Sequence, residues 1–391
     1  SGLRANASTG KFKFKFYRRG AVVVSLFRWL VRIATGAVVL AVLAVGLVYY
    51  LASQSLPDYD QTLRVGGNDI TAEIEIVRDH ANVPHILGTT DNDTFFGLGY
   101  AHAQDRLWQM TTMRRTAQGR LSEVFGARTA RIDTLLRRLD LYRLAQASVE
   151  VQDPYTLAAL KAYSAGVNAR LQEINDKALG RGAPEMFMFN APVAPWRPAD
   201  SLAIIKIMGL QLSGHLENEV IRARTSLVLG SDDRLRDLLS DPPGSGIAAL
   251  PEYAALFPSL PKFAQAAPMP DHPLSPFPTR ELAGASNAWA AAPSRSASGG
   301  TLLANDPHLG LTAPTIWYLA RLELSSGGVI GGTVPGMPLV LVGRGEEIGW
   351  GLTSSYMDDI DLFIEELNPD NREQDRTPDG WAEFETRRTI I

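Results

Sequence analysis

Ser286 stands in the run Ala285-Ser286-Asn287-Ala288-Trp289, directly after a stretch rich in proline (Pro251, Pro258, Pro261, Pro268, Pro270, Pro273, Pro276, Pro278). Such a stretch breaks regular elements and reads as a linker or loop. Gly284 makes the local backbone pliable. If the Ala285–Ser286 bond were broken, Ser286 would carry both a nucleophilic hydroxyl and a base, its own α-amine. A free α-amine has a pKa of roughly 7.7–8.0 and is partly neutral near pH 7, so no histidine base would be needed. By itself a serine ahead of a strand is usually just a serine; the setting permits the chemistry without establishing it.

A second cluster is Asp358-Asp359-Ile360-Asp361. It reads either as a solvated turn or as oxygen donors for a hard cation, which takes several oxygens at about 2.3–2.6 Å. Other chemistries lack their residues. The chain has no cysteine, which excludes a disulfide framework, a zinc knuckle, iron–sulfur ligation and a thiol nucleophile. There is no GxxxxGK[ST], HExxH or GxSxG motif, Gly244-Ser245-Gly246 being too short for the last. The six histidines are scattered without metal-ligand spacing, and His85 and His102 read as hydrogen-bonded core or surface histidines.

The elements that would position these residues divide the chain of 391 residues. Residues 1–57 hold eight basic residues and no acid, and the remainder holds 30 basic and 42 acidic residues, a net −12 that argues against nucleic acid as a partner. Residues 33–53 are uncharged over a length that can cross a bilayer, with Tyr49 and Tyr50 where an interfacial belt would lie. They read as an uncleaved anchor in preference to a signal peptide or a buried core helix. Residues 1–32 are then a basic cytoplasmic tail facing anionic lipid, and the body is exported, which for a bacterium means an inner-membrane protein facing the periplasm.

In the body, residues 73–78 alternate as a strand and residues 79–85 form a turn closed by Pro84. A helix capped by Asp91 or Asp93 runs to a stop at Gly126, and further helices cover 155–174, 200–212 and 217–229. After Gly284 strands are expected at 286–292, 301–304, 316–324, 329–332, 339–342, 348–352 and 362–367. Helices first and strands after the linker predict an α+β architecture.

Five ordered blocks carry a resemblance: residues 76–126 (IVRDHANVPHILGTTDNDTFFGLGYAHAQDRLWQMTTMRRTAQGRLSEVFG), PWRPAD, ASNAWAAAP, LLANDPHLGL and EIGWGLTSSYMDDIDLFIEEL. In order and spacing they are similar to the penicillin acylase family of N-terminal nucleophile hydrolases. The resemblance implies a four-layer αββα core and a precursor cut into two chains. Residues 58–256 would be the mostly helical first chain, 257–285 the spacer, and 286–391 the start of the second chain. It implies autocatalytic cleavage before Ser286, although the family places Gly where this chain has Ala285. His308 falls beside the nucleophile, and Ser354 matches the residue whose backbone N–H forms half of the oxyanion hole. Asp358, the Ile360 carbonyl and Asp361, with Glu219 (or Glu217) of the first chain, match the ligands of a structural calcium; no organic cofactor is implied.

Met208, Leu212, Leu309 and Val342 fall near the acyl pocket, though each is nearly as well read as a core residue. The implied activity is hydrolysis of an N-acyl amide, a β-lactam side chain or similar; an N-acyl homoserine lactone or lipid-like amide is the alternative. An anchored, non-catalytic binding module is the alternative of another class, and a metal-dependent hydrolase rests on the Asp cluster alone. The family's oxyanion Asn and an Arg are expected beyond Ile391, so residues 1–391 alone are expected to be nearly inactive.

Overall fold

The structure, a computed structural model, describes residues 19–66, 70–177, 181–189, 192–213, 220–221, 225, 228–229, 232–238, 286–309, 312–353 and 365–391. It divides into two units, residues 1–55 and residues 56–391. In the first, helix α1 spans Arg19–Ser53, and Val24–Ser53 is long and apolar enough to cross a membrane. The helix begins well before the expected residue 33, so Arg28 and Arg32 lie on the helix and not in a tail. Its large side chains, such as Leu40 and Val45, are exposed along its length. By length and composition such a helix fits a membrane anchor or a signal sequence.

The second unit begins with strands β1 (Glu75–Arg78) and β2 (Pro84–Leu87). Helices follow: α2 (Asp91–Ala117), α3 (Ser122–Phe125), α4 (Ala130–Leu139), α5 (Leu141–Glu150), α6 (Pro154–Lys177), α7 (Glu185–Met188), α8 (Pro198–Ser213) and α9 (Asp232–Leu238). Strands then return as β3 (Asn287–Ala291), β4 (Leu302–Asp306), β5 (Tyr318–Leu324), β6 (Gly327–Thr333), β7 (Val340–Arg344), β8 (Gly349–Trp350), β9 (Gln374–Thr377) and β10 (Gly380–Glu383).

Several expectations are corrected. Pro84 opens strand β2 and pairs with Arg78, where the sequence had placed it inside a turn. The cap of α2 is Thr90, not an aspartate: its Oγ1 accepts from the Asp93 N–H at 3.2 Å, and the Asp93 carboxylate accepts from the Thr90 N–H at 3.2 Å, a reciprocal box. Burial alone would raise the Asp93 pKa, but hydrogen bonds from Thr71 and Thr90 outweigh it and hold it below the usual carboxylate range. The long helix does not run to Gly126. It ends at Ala117, with Gly119 at φ 59°, and its backbone leaves helical geometry at Arg106. The break is held from both sides: Asp105 accepts from Tyr59 (2.9 Å) and Tyr318 (2.6 Å), and Arg106 donates to the Thr315 carbonyl at 3.0 Å. The expected helix 217–229 and strand 362–367 fall largely outside the described residues.

The main sheet has the order β1-β2-β5-β6-β7-β8. All neighbours are antiparallel except β2 and β5, which pair in parallel with Ile86 opposite Leu322. Strands from before the helices and from after the Pro-rich stretch therefore share one sheet. The core lies between this sheet (Ile86, Tyr318, Ala320, Leu322) and the helices (Leu98, Met110, Tyr163, Ile204). At the centre α2 and α6 meet backbone to backbone. A Cβ on Gly166 would lie 1.9 Å from the Phe96 carbonyl oxygen, and one on Gly99 2.1 Å from the Tyr163 carbonyl oxygen.

His102 sits in this core, fully buried. Thr333 Oγ1 donates to the Tyr318 carbonyl at 2.6 Å, so it accepts at 2.9 Å from His102 Nε2–H. Nδ1 is then the acceptor, receiving the Tyr163 hydroxyl at 2.7 Å, and that hydroxyl oxygen accepts from the Gly336 N–H at 2.8 Å. The chain of bonds fixes a neutral Nε2–H tautomer, and burial pushes the His102 pKa down to about 3. A second buried link joins α2 to the start of α8. Arg114 donates to Asp200 at 3.3 Å and to the carbonyls of Ala194 and Pro195, and Tyr142 donates to Asp200 at 2.8 Å. This network is what the PWRPAD block builds.

Two predictions follow from the core. Gly166→Ala should cost about 3 kcal/mol or more, because the new Cβ meets main chain that cannot yield. Gly209→Ala on α8, with open space around the position, should be neutral or stabilising by up to about 1 kcal/mol. Urea unfolding of both variants checks the contrast. A histidine held neutral in the fold binds its proton more readily when unfolded. Its contribution is therefore whole above pH 6.5, the ordinary histidine value, and is lost as pH falls toward about 3. Between pH 6.5 and 4.5 stability should fall by up to about 1.4 kcal/mol per pH unit, and His102→Gln should flatten that slope. An equal slope in the variant would refute the assignment.

Candidate active site

Ser286 is the residue immediately ahead of β3, outside its ladder and half-buried. Strands β3 and β4 form a separate antiparallel hairpin in which Asn287 faces Asp306 and Ala291 faces Leu302. The connection bends through a 3-10 turn at Pro293–Arg295 and through Gly299 at φ 73°. His308, two residues past Asp306, stands at the same end of the hairpin as Ser286. His308 Nε2 lies 2.7 Å from Asp306 Oδ2, with the two side chains 40% and 59% exposed. Water screens a pair this open, which orients the ring more than it stabilises the fold.

Asn305, which the sequence reading did not single out, makes three side-chain hydrogen bonds at this end. Its Nδ2 donates to the Asn287 carbonyl at 2.8 Å and to the Leu352 carbonyl at 3.1 Å. Its Oδ1 accepts from the Leu352 N–H at 3.1 Å. The hairpin can approach β8 because glycines lie beneath it. A Cβ on Gly349 would come within 2.8 Å of Leu303, and one on Gly351 within 2.9 Å of Asn305 Cβ and Cγ. The spacing Gly349-Trp350-Gly351 was the available signal, but its meaning depends on which strand lies above it.

Met208 is 8% exposed and belongs to the main core cluster. Leu212, one turn on along α8, is 45% exposed. Val342 on β7 and Leu309 just past β4 are half-buried. These four residues stand on three separate parts of the chain. Ser354, Asp358, Ile360, Asp361 and Glu219 lie outside the described residues. Among the described residues no group of three or more acidic or histidine side chains could hold a metal ion.

The comparisons with known proteins bear on this geometry. The chain is 33% identical over 330 residues to penicillin acylase 2 proenzyme of Pseudomonas sp., covering 81% of this chain and 40% of that protein. It is 29% identical over 336 residues to the acyl-homoserine lactone acylase QuiP of Pseudomonas aeruginosa, covering 81% of this chain and 37% of that protein. It is 27% identical over 346 residues to penicillin G acylase of Escherichia coli, covering 76% and 40% respectively. The chain thus spans about two fifths of the length of the curated relatives it matches. With its residues 73–391 matched by the family described as penicillin amidase, the chain belongs to the penicillin amidase family.

Proposed function

We propose that the protein is an amide hydrolase that works through an acyl-enzyme on Ser286, made N-terminal by autocatalytic cleavage of the Ala285–Ser286 bond. The observation that carries this reading is the position of Ser286, one residue outside the β3–β4 ladder. An N-terminal nucleophile needs its amine free of the ladder and its strand fixed beyond that point. The hydroxyl of Ser286 attacks the amide carbonyl while its own α-amine takes the proton through water. The Ser354 N–H, with a second donor, holds the oxyanion, and such a donor is worth about 2.7–4 kcal/mol. The amine returns the proton to the leaving nitrogen, and water then splits the ester to release the acid. His308, at the same end of the β3–β4 hairpin, would flank this centre.

The substrate class is an N-acyl amide. Relatives named as penicillin acylases and as acyl-homoserine lactone acylases support both a β-lactam side chain and an acyl lactone. Leu212, Leu309 and Val342, with Met208, would make an aliphatic pocket that suits a long acyl chain at least as well as an aromatic one. Asp358, the Ile360 carbonyl, Asp361 and Glu219 supply only oxygen donors, the chemistry that suits a structural calcium. α1 is read as a single-pass inner-membrane anchor with the body in the periplasm.

Mass spectrometry of the full-length protein tests the reading. The expected result is a new N-terminus at Ser286 in the wild type, and an uncleaved, inactive chain in Ser286→Ala. An intact wild-type chain that neither cleaves nor becomes acylated would support an anchored binding module instead. Long-chain acyl amides should be hydrolysed at least as well as phenylacetyl amides, and a clear preference for phenylacetyl would overturn the pocket assignment. Chelation should lower the Tm of the processed protein; loss of chemistry at an unchanged Tm would point to a metal-dependent hydrolase.

A further inference from the structure

We infer that Asn305 is a positioning residue that holds the strand carrying the nucleophile against the segment leading to the oxyanion donor. The inference rests on the reading of Ser286 and Ser354 proposed above. Asn287, whose carbonyl Asn305 binds, directly follows Ser286, and Leu352 lies two residues before Ser354. One side chain therefore ties the neighbours of both groups.

An asparagine that merely shapes a turn binds the backbone a few residues away. Asn305 does the opposite: its partners are 18 and 47 residues distant in sequence. Toward Leu352 its amide imitates a strand, accepting from the N–H and donating to the carbonyl of the same residue. The orientation of the amide is fixed by its surroundings, since two carbonyls face Nδ2 and one N–H faces Oδ1. Turning it over would lose every one of these bonds. Gly351 completes the fit, because any Cβ there would press on Asn305 at 2.9 Å.

Alignment of a nucleophile with an oxyanion donor matters in the transition state and little in the substrate complex, so its loss appears in kcat and not in KM. A misplacement of about 1 Å can cost on the order of 100-fold. The test uses the full-length protein, with active sites counted by covalent titration with a sulfonyl fluoride. Asn305→Ala should lower kcat per titrated site by at least ~10-fold, with KM within about 3-fold and the pH profile unmoved. Asn305→Asp should do no better, since it turns a carboxylate oxygen toward two carbonyls. Gly351→Ala should lower kcat in the same way, because its Cβ displaces a chemically unaltered Asn305.

A folded but slowly cleaved Asn305→Ala precursor, with the Tm of the Ser286→Ala precursor, would also support the inference, because processing uses the same two groups. If Asn305→Ala is not recovered folded, Gly351→Ala decides. An unchanged kcat per site in the folded variants, or a loss confined to KM, would overturn the role of Asn305 while leaving the hydrolase reading intact. A wild type with no new N-terminus at Ser286 would overturn both.

Discussion

The contact between α2 and α6 sets the terms for everything built around it. Gly99 and Gly166 allow the two helix backbones to touch, where any side chain would overlap a carbonyl oxygen. That approach brings Tyr163 of α6 within reach of His102 of α2, and it leaves the opposite side of α2 free to lie on β5. Glycine in a helix interior costs roughly 1 kcal/mol against alanine. The cost is offset because the close approach seals a core in which Leu98, Met110, Tyr163 and Ile174 are almost fully buried.

From that contact the two halves of the body are stitched together by directional bonds. Thr94 donates to the Glu323 carbonyl at 2.7 Å, and Asp91 accepts from the Ser325 N–H at 2.6 Å. Asp105 accepts from Tyr318, and the His102 relay reaches Thr333 and, through Tyr163, Gly336. The parallel ladder between β2 and β5 adds main-chain bonds to the same seam. None of these links depends on a peptide bond ahead of Ser286. Cutting the chain there would leave the seam in place, and buried bonds of this kind are costly to leave unmade.

Much of this was legible in the sequence where the signal is local. The spacing of Phe96, Leu98, Tyr100, Ala103, Leu107 and Met110 announced α2, and alternation with turn residues announced β5 and β6. The end of α2 was misjudged because Gly126 is a conspicuous stop, while the earlier break at Gln118 and Gly119 follows from a left-handed glycine packed against Asp133 and Arg137. Helices α4 and α5 were missed although Ile132, Leu135, Leu136 and Leu139 recur at helical spacing in α4: each helix has only 10 residues, and no glycine or proline separates the two. The parallel pairing of β2 with β5 joins residues more than two hundred positions apart, which no local pattern encodes. At the candidate site, Ser286 and His308 were singled out from their blocks. Asn305 was not, because its significance lies in partners supplied by Asn287 and Leu352.

Under the function proposed above, Ser286 has to meet two opposing demands on an N-terminal nucleophile. A residue within a ladder is well fixed, but its N–H is committed to a neighbouring strand and cannot serve as a free base. A residue far outside the ladder has a free amine but wanders, and each loosely held rotor dilutes the productive geometry. Here the ladder begins at Asn287, so Ser286 lies one residue from fixed backbone while its own nitrogen stays out of the register. The exposed His308–Asp306 pair is too open to water to impose order by itself. The order that is visible comes instead from the hairpin register and from Asn305, whose side chain donates to the carbonyl of Asn287, the residue that follows Ser286.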